Sequence, residues 1–207
     1  NTEWRTPNLE NVLYMELTHG RVIIELAPQF APNHVKNIKA LAREGFYDGL
    51  NFYRVIDGFV AQGGDSSDSK KPKKAQKMIE QEFQLSIDNT FSYTPVPDID
   101  GFAAHNGFKD GFAISLNAAK SNAWLTHCSG VLAMARSNSV DSGGTEIYIT
   151  LNNQRYLDGN ITVFGRVLDG MAHIQALKRS QTLNGPVDLT GQNIIKTVSV
   201  AADVEQA

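Results

Sequence analysis

Hydrophobic and polar residues alternate in two neighbouring segments near the start of the chain. Residues 12–17 and 21–26 each carry a large aliphatic residue at every second position, and His19-Gly20 lies between them. Successive side chains of a β-strand point to opposite faces, so this alternation predicts two strands that are each buried on one face. The short connection predicts that they pair as a hairpin.

A helical spacing replaces the alternation in two other places. Apolar residues recur three and four positions apart from Val35 to Ala42, after Pro32 and before Gly45. Proline is tolerated in the first turn of a helix and glycine favours the left-handed position after its end, so a helix of about twelve residues is predicted. A second helix is predicted over residues 171–179, with basic residues at its C-terminal end.

Short strand-like runs, separated by Asp-Gly turn signals, account for much of the remaining chain. These strands are predicted at residues 52–56, 131–136, 146–151, 161–167 and 196–201. Closing such strands into a barrel removes exposed sheet edges. We therefore predict a mainly β fold, a closed β-barrel capped by the two α-helices.

Length and charge limit the possible partners. The chain has 207 residues and a formal net charge of −3. This length suits a single domain, which is predicted over residues 1–207. The small negative charge provides no global field for nucleic acid or anionic lipid, so partners should be selected by local surfaces. Nucleic acid is not an expected partner, and a monomer is expected. No apolar run approaches the roughly 20 residues that a membrane-spanning helix needs.

Three motifs carry the candidate chemistry, at residues 52–65, 130–136 and 156–167. The first places one cation, Arg54, and one amide, Gln62, among aromatic and aliphatic residues. Together the three motifs resemble the cyclophilins, the peptidyl-prolyl cis-trans isomerases. The resemblance implies an eight-stranded antiparallel β-barrel with two capping helices.

Two segments stand apart from the minimal cyclophilin pattern. The chain is longer at about residues 84–129, and this insertion contains six large aromatic residues. Exposing six large aromatic side chains to water is unfavourable. The insertion is therefore predicted to be an ordered excursion that packs against the barrel. Residues 66–77 form a lysine-rich loop with five lysines. This loop is interpreted either as a solvated surface or as a contact for acidic clients or lipid headgroups.

A prolyl peptide bond isomerises slowly because its amide resonance must be broken, with a barrier of about 18 to 20 kcal/mol. A catalyst therefore needs to bind the twisted state more tightly than the planar states. The resemblance implies that Arg54 is the catalytic arginine, whose permanently charged guanidinium can donate to the proline nitrogen. Gln62 is predicted to hold the substrate backbone beside it. Ala135 and Arg136 fall where the family pairs a strand backbone with the bound peptide.

By the same resemblance, an apolar pocket receives the proline ring. Its predicted walls are Phe59, Val60, Tyr148, Leu157 and Ile161. Alternation supports part of this assignment, because the isoleucines on either side of Tyr148 share one face and leave Tyr148 pointing away from the barrel core, toward a groove. Packing in the core is the alternative for each of these hydrophobic residues.

Four predicted substrate-binding positions depart from the best-known eukaryotic pattern. Tyr156 replaces a tryptophan, Ile161 a histidine, Tyr148 a phenylalanine and Glu146 a glutamine. The loss of the tryptophan and the histidine predicts weak cyclosporin binding. Glu146 adds a negative charge near Arg54 by analogy, so it either tethers the guanidinium or favours basic peptides.

These residues together predict a peptidyl-prolyl cis-trans isomerase, or rotamase, that acts on proline-containing polypeptides in unfolded or extended form and assists their folding. No cofactor is expected, and the histidines are too scattered for a metal site. The alternative is a noncatalytic proline-peptide binding module or holdase chaperone, which would not need Arg54. The polar segment through Asn11, without an initial methionine, favours an exported bacterial protein of the periplasm, with the cytoplasm as the alternative.

Overall fold

The computed structural model describes residues 4–98, 100–182 and 193–204. Within these ranges it contains thirteen β-strands and two α-helices. In chain order the strands are β1 (Val12–Leu17), β2 (Gly20–Leu26), β3 (Asn51–Val55), β4 (Val60–Gly64), β5 (Leu85–Ser86), β6 (Thr94–Pro95), β7 (His105–Lys109), β8 (Phe112–Leu116), β9 (Asn122–Leu125), β10 (Val131–Met134), β11 (Ile147–Thr150), β12 (Val163–Asp169) and β13 (Ile195–Val200). The helices are α1 (Pro32–Arg43) and α2 (Met171–Gln175).

Eight of the described strands form one antiparallel sheet that curls into a nearly closed barrel. Their order is β13-β1-β2-β12-β10-β11-β4-β3. The two ends of this barrel sheet meet through backbone hydrogen bonds: Ile195 N–H donates to Leu50 O over 2.8 Å, and Gly49 N–H donates to Ile195 O over 2.9 Å. The predicted fold, a mainly β eight-stranded antiparallel barrel with two α-helices, is confirmed.

The opening hairpin forms because both of its strands bury aliphatic side chains in the barrel interior. β1 and β2 pair antiparallel, from Val12 opposite Glu25 to Leu17 opposite Gly20. Gly20 has a φ of +145°, and a Cβ at this position would lie 2.4 Å from Nε2 of His173 on α2. Both the backbone conformation and the close approach of α2 therefore require glycine at this turn.

Both predicted helices form, and the second is shorter than predicted. α1 is followed by Gly45 in the left-handed conformation, with a φ of +64°. α2 ends at Gln175, so the prediction over residues 171–179 was wrong in length. Beyond α2, the Gln175 carbonyl accepts from the side chain, Arg179 Nη1, over 2.8 Å, and Ser180 N–H donates to Val55 O at the end of β3 over 2.7 Å. The backbone bonds of residue 180 thus go to the barrel instead of continuing the helix. Within the described ranges, no helix is long and apolar enough to cross a membrane.

Strands of the insertion form a second antiparallel sheet, in the order β5-β9-β8-β7-β6. The buried side chains of β8 pack with residues of β4, β10, β11 and β12 in an apolar cluster, which we call the outer cluster. A separate cluster, which includes Ile147 and Ile149, fills the barrel interior. These four barrel strands, β4, β10, β11 and β12, are therefore apolar on both faces, one facing inward and the other covered by the second sheet. The organisation of residues 1–207 as a single domain stays a prediction.

Candidate active site

Arg54 and Gln62 lie opposite each other on the adjacent strands β3 and β4. Arg54 Nη1 donates to Gln62 Oε1 over 3.2 Å. The Gln62 amide is held at its other end as well, because its Nε2 donates to the Tyr53 hydroxyl over 2.7 Å. All three residues are partly exposed, so the guanidinium is oriented and still within reach of a ligand. Strand register thus brings the two predicted catalytic residues together.

Phe59 provides an aromatic surface beside the guanidinium. It follows the Asp57-Gly58 turn between β3 and β4, where Gly58 has a φ of +66°. Arg54 Cζ lies 5.7 Å from the centre of the Phe59 ring. The ring of Tyr156 stacks on Phe59 with a centroid distance of 6.5 Å and an interplanar angle of 19°. Tyr156 is 64% exposed, so it forms the solvent side of this aromatic pair.

The predicted walls of the proline pocket all belong to the outer cluster. Val60 and Tyr148 are buried in it, and Phe59, Leu157 and Ile161 pack against it while partly exposed. Phe59 comes from the turn before β4, Val60 from β4 and Tyr148 from β11. Leu157 comes from the 3₁₀ turn after β11, and Ile161 from the segment just before β12. The structure therefore brings the five side chains into one apolar surface from positions that are distant in sequence.

Tyr148 points away from the barrel interior, as the alternation predicts, but it does not face an open groove. It is 6% exposed, and its hydroxyl lies 2.9 Å from Nε2 of His127, a fully buried residue of the insertion. The two rings stack with a centroid distance of 6.2 Å. Because the insertion covers this part of β11, the predicted groove contact of Tyr148 is corrected to a buried contact at the back of the pocket.

The contact between Tyr148 and His127 begins a buried polar network. His127 Nδ1 lies 3.1 Å from Asp158 Oδ1, and Arg155 Nε donates to Asp158 Oδ2 over 2.6 Å. Arg155 also forms a salt bridge with Asp100 of the insertion. Because His127 and Asp100 lie in the insertion, this network fastens the insertion to the wall of the candidate site.

Burial and hydrogen bonding set the charge states in this network. Burial raises the pKa of the Tyr148 hydroxyl well above its ordinary value, so the group stays protonated. Burial also acts to raise the pKa of Asp158, but hydrogen bonds from His127 and Arg155 outweigh this effect and hold that pKa below its usual value. Asp158 is therefore ionised at neutral pH. Within the described ranges, no group of three or more potential metal ligands occurs.

Sequence reasoning missed this network because it assessed the histidines, His127 among them, only as possible metal ligands. One signal was available: a tyrosine predicted to lie between two apolar surfaces needs a hydrogen-bond partner for its hydroxyl. The sequence could not identify that partner, because His127 and Tyr148 meet only when the insertion folds onto the barrel.

Glu146 lies in the site but does not tether Arg54. Its carboxylate oxygens are buried and make no hydrogen bond of normal geometry within the described ranges. They lie against Gly64, where a Cβ would be 2.4 Å from Oε1. Burial raises the pKa of the Glu146 carboxyl, and burial together with the nearby Glu146 raises the pKa of Tyr53. Arg54 bonds to Gln62 instead of to Glu146, so the first of the two alternatives for Glu146, a tether for Arg54, is not formed. The other alternative, a preference for basic peptides, stays a prediction.

Ala135 and Arg136 follow β10, at the strand end that is predicted to pair with a peptide. Ala135 N–H already donates to Glu146 O over 2.8 Å. The Arg136 guanidinium donates to the backbone oxygen of Asn160 over 3.2 Å and to its side-chain oxygen over 2.7 Å. Arg136 thus holds the segment that leads into Ile161, and a bound peptide has to use other backbone groups of this strand end.

Comparison with known sequences identifies one family. The family model described as "Cyclophilin type peptidyl-prolyl cis-trans isomerase/CLD" matches residues 12–200. A protein of Brucella suis named "Probable peptidyl-prolyl cis-trans isomerase" is 31% identical over 179 residues, which cover 86% of this chain and 77% of the relative.

Comparison with solved structures gives the same family. The crystal structure of cyclophilin AquaCyp293 from Hirschia baltica has a TM-score of 0.85 at 30% identity, covering 98% of this chain and 78% of that chain. A Cryptosporidium parvum cyclophilin type peptidyl-prolyl cis-trans isomerase, crystallised in the presence of the dipeptide Ala-Pro, has a TM-score of 0.61 at 20% identity and covers 91% of this chain. The second similarity concerns the fold alone.

Proposed function

Because this chain belongs to the cyclophilin-type peptidyl-prolyl cis-trans isomerases, we propose that it accelerates the isomerisation of X-Pro bonds in unfolded or extended polypeptides. The observation that carries this proposal is the oriented Arg54–Gln62 pair beside the Phe59 ring. Uncatalysed prolyl isomerisation takes tens of seconds and can limit the rate of folding. The proposed activity therefore assists folding and needs no cofactor, because no covalent bond is cleaved.

Arg54 is the residue that we assign to stabilising the transition state. In the twisted state the proline nitrogen regains its lone pair and becomes a hydrogen-bond acceptor. The guanidinium has five N–H donors, of which Nη1 engages Gln62, so donors are left for this nitrogen. A rate gain of roughly 10⁵ requires about 7 kcal/mol of preferential binding to the transition state. One oriented donor supplies about 2.7 to 4 kcal/mol of such stabilisation, with the remainder coming from other contacts.

Gln62 acts in this mechanism as a positioning residue for Arg54. Its oxygen accepts from Arg54 and its nitrogen donates to Tyr53, so both ends of the amide are engaged in the free protein. The sequence-based role of holding the substrate backbone would require one of these contacts to open. Burial raises the pKa of Tyr53, which keeps the hydroxyl protonated and the amide oriented at neutral pH.

The proline ring binds, in our proposal, on the apolar surface next to the guanidinium. Phe59, Leu157 and Ile161 are partly exposed and can contact a ligand, whereas Val60 and Tyr148 are buried behind them. Apolar contact with the ring favours proline over polar residues, because the ring loses its contact with water there. This arrangement supports proline-containing polypeptides as the partner class.

A noncatalytic proline-peptide module is the rival function. Such a module would use the apolar surface but would gain nothing from a guanidinium that is oriented through Gln62 and Tyr53. The orientation of Arg54 therefore favours the enzyme.

The test is the turnover of Arg54→Ala in an isomerisation assay on a short X-Pro peptide. We expect turnover to fall by about a hundredfold or more, which corresponds to about 2.7 kcal/mol of lost transition-state stabilisation. Arg21→Ala is the matched control, because Arg21 is also a strand arginine. It lies on β2 and pairs on the surface with Glu16 of β1. If Arg54→Ala retains near-full turnover with an unchanged melting temperature, the assignment of Arg54 is wrong.

A further inference from the structure

A groove of about 710 Å³ runs along α1, and none of its lining residues belongs to the candidate active site. We call it the α1 groove. The groove is lined by five cations and a single acid, Glu44. The cations are Lys36, Lys39 and Arg43 of α1 and Lys73 and Lys74 of the lysine-rich loop. The whole chain has a net charge of −3, so this positive groove is a local feature of the surface.

The lysine-rich loop is fastened to α1 by specific hydrogen bonds. The Glu44 carboxylate accepts the backbone N–H groups of Lys73 and Lys74, the latter over 3.1 Å. Asn37 Oδ1 accepts the Gln76 N–H over 2.7 Å, and its Nδ2 donates back to Gln76 O over 3.0 Å. The acid of the groove is thus occupied by the loop backbone, and its bonds hold two lysines at the groove.

Among the five cations, only Arg43 forms a salt bridge in the described part of the chain. Arg43 pairs with Asp203 over 2.7 Å and with Glu10 over 3.2 Å, which neutralises it. Of the other four, Lys36, Lys73 and Lys74 are exposed, and Glu44 attracts Lys73 electrostatically. The half-buried Lys39 donates to the neutral amide oxygen of Asn11 over 3.3 Å. Like charges around one groove repel one another, so an anionic ligand would be favoured there by charge complementarity.

The α1 groove also has an apolar component. Pro32, Val35 and Ala40 line it beside the lysines. The aliphatic stems of lysine side chains add further apolar surface beneath their charged ends. A small inorganic anion would use only the charges, whereas a polypeptide segment with both acidic and apolar side chains would use both components.

We propose that the α1 groove binds an acidic polypeptide segment that also carries apolar side chains. This docking site is separate from the isomerase site and does not depend on the proposed function. Its affinity falls as salt rises, because its charges are exposed and screened by ions.

The experiment measures binding of a fluorescent peptide of about twelve residues that alternates acidic and leucine residues and contains no proline. Lys36→Glu/Lys73→Glu/Lys74→Glu is compared with the control Lys71→Glu/Lys120→Glu/Lys196→Glu. The control makes the same charge change at exposed lysines outside the groove lining. We expect the groove variant to weaken binding about tenfold or more and the control variant to change it by about twofold or less. Turnover of a short X-Pro peptide should stay unchanged in both.

Each outcome decides the proposal. Equal weakening by both triple variants would show a nonspecific charge effect and overturn it, as would the absence of peptide binding at about 50 mM salt. Binding of the unmodified protein to anionic phosphatidylglycerol vesicles without binding of the peptide would identify a membrane contact and also overturn it. If the Glu variant does not fold, Lys36→Gln/Lys73→Gln/Lys74→Gln replaces it and is expected to weaken binding in the same direction.

Discussion

Tyr148→Phe removes one hydroxyl group from the back of the proline pocket and leaves the aromatic ring in place. The hydroxyl is 2.9 Å from His127 Nε2, and both residues are buried, His127 fully. The other ring nitrogen of His127 faces the ionised Asp158 over 3.1 Å. Because a carboxylate can only accept, that nitrogen carries a proton, and the ring is held in one orientation. His127 therefore cannot turn to find another partner when the hydroxyl is lost.

The expected loss of stability follows from this geometry. Leaving a buried polar group without its partner costs about 1 to 3 kcal/mol of unfolding free energy. For a chain of this size, each kcal/mol corresponds to about 2 to 4 °C in melting temperature, so Tyr148→Phe should melt about 2 to 12 °C lower. Tyr156→Phe is the matched control, because it removes the same hydroxyl from a side chain that is 64% exposed. We expect that control to change the unfolding free energy by about 0.5 kcal/mol or less.

Thermal and urea unfolding at neutral pH, followed by circular dichroism, measure both variants. The reasoning is refuted if Tyr148→Phe and Tyr156→Phe have the same stability, because the buried hydroxyl would then contribute no more than an exposed one. A second measurement compares the double variant Tyr148→Phe/His127→Leu with the two single variants Tyr148→Phe and His127→Leu. If the two residues interact as the structure shows, the losses of the single variants should not add, with a coupling of about 0.5 to 3 kcal/mol.

Two further predictions concern other site residues. Burial raises the folded-state pKa of Glu146 above the usual value of 4.5. The protonated carboxyl therefore contributes its full stability below about pH 4.5, and this contribution is lost as the pH rises through the folded-state pKa. Glu146→Gln cannot ionise and should therefore melt higher than the unmodified protein at about pH 8 and equally at about pH 4; a gain that does not grow with pH would contradict this. Tyr156 stacks on Phe59 where an indole would present a larger face and an N–H donor, so cyclosporin binding should be weak and Tyr156→Trp should tighten it about tenfold. Calorimetric titration of both forms tests this, and equal affinities would rule out the role of Tyr156.

The elements that were predicted well are those that local rules control. β1 and α1 have their predicted spans, because aliphatic alternation and helical spacing act between residues that are close in sequence. β4 (Val60–Gly64) was missed, since its two glycines and Gln62 break the alternation. Gly63 is required there by space, because a Cβ would lie 2.9 Å from Asn51 O on the neighbouring strand. A local sequence pattern does not predict which strand will lie next to β4.

The candidate site shows the same division. The motif placed Arg54, Gln62 and Phe59 in one short stretch, and the register of β3 and β4 brings them into contact. The motif did not show that Gln62 is held by Tyr53, or that the Glu146 carboxylate lies against Gly64 and forms no ion pair with Arg54. Side-chain contacts of this kind depend on which rotamers the surrounding packing permits, and packing involves residues far away in sequence.

The sequence by itself determined the class of fold and the chemistry that the site can carry. Its alternating segments require strands with a buried face, and its motifs place a permanent cation and an amide beside apolar side chains. These properties belong to single residues and to neighbours in the chain. These properties do not depend on where the other parts of the protein lie in space.

Only the tertiary structure decided how distant surfaces meet. It placed the insertion over the outer face of β4, β10, β11 and β12, which buried Tyr148 against His127 and raised the pKa of the Tyr148 hydroxyl. It also brought the lysine-rich loop to α1 and so created a positive groove on a chain whose net charge is negative. Burial, pKa and local charge depend on the groups that surround a residue in space, and the chain specifies those neighbours only through the complete fold.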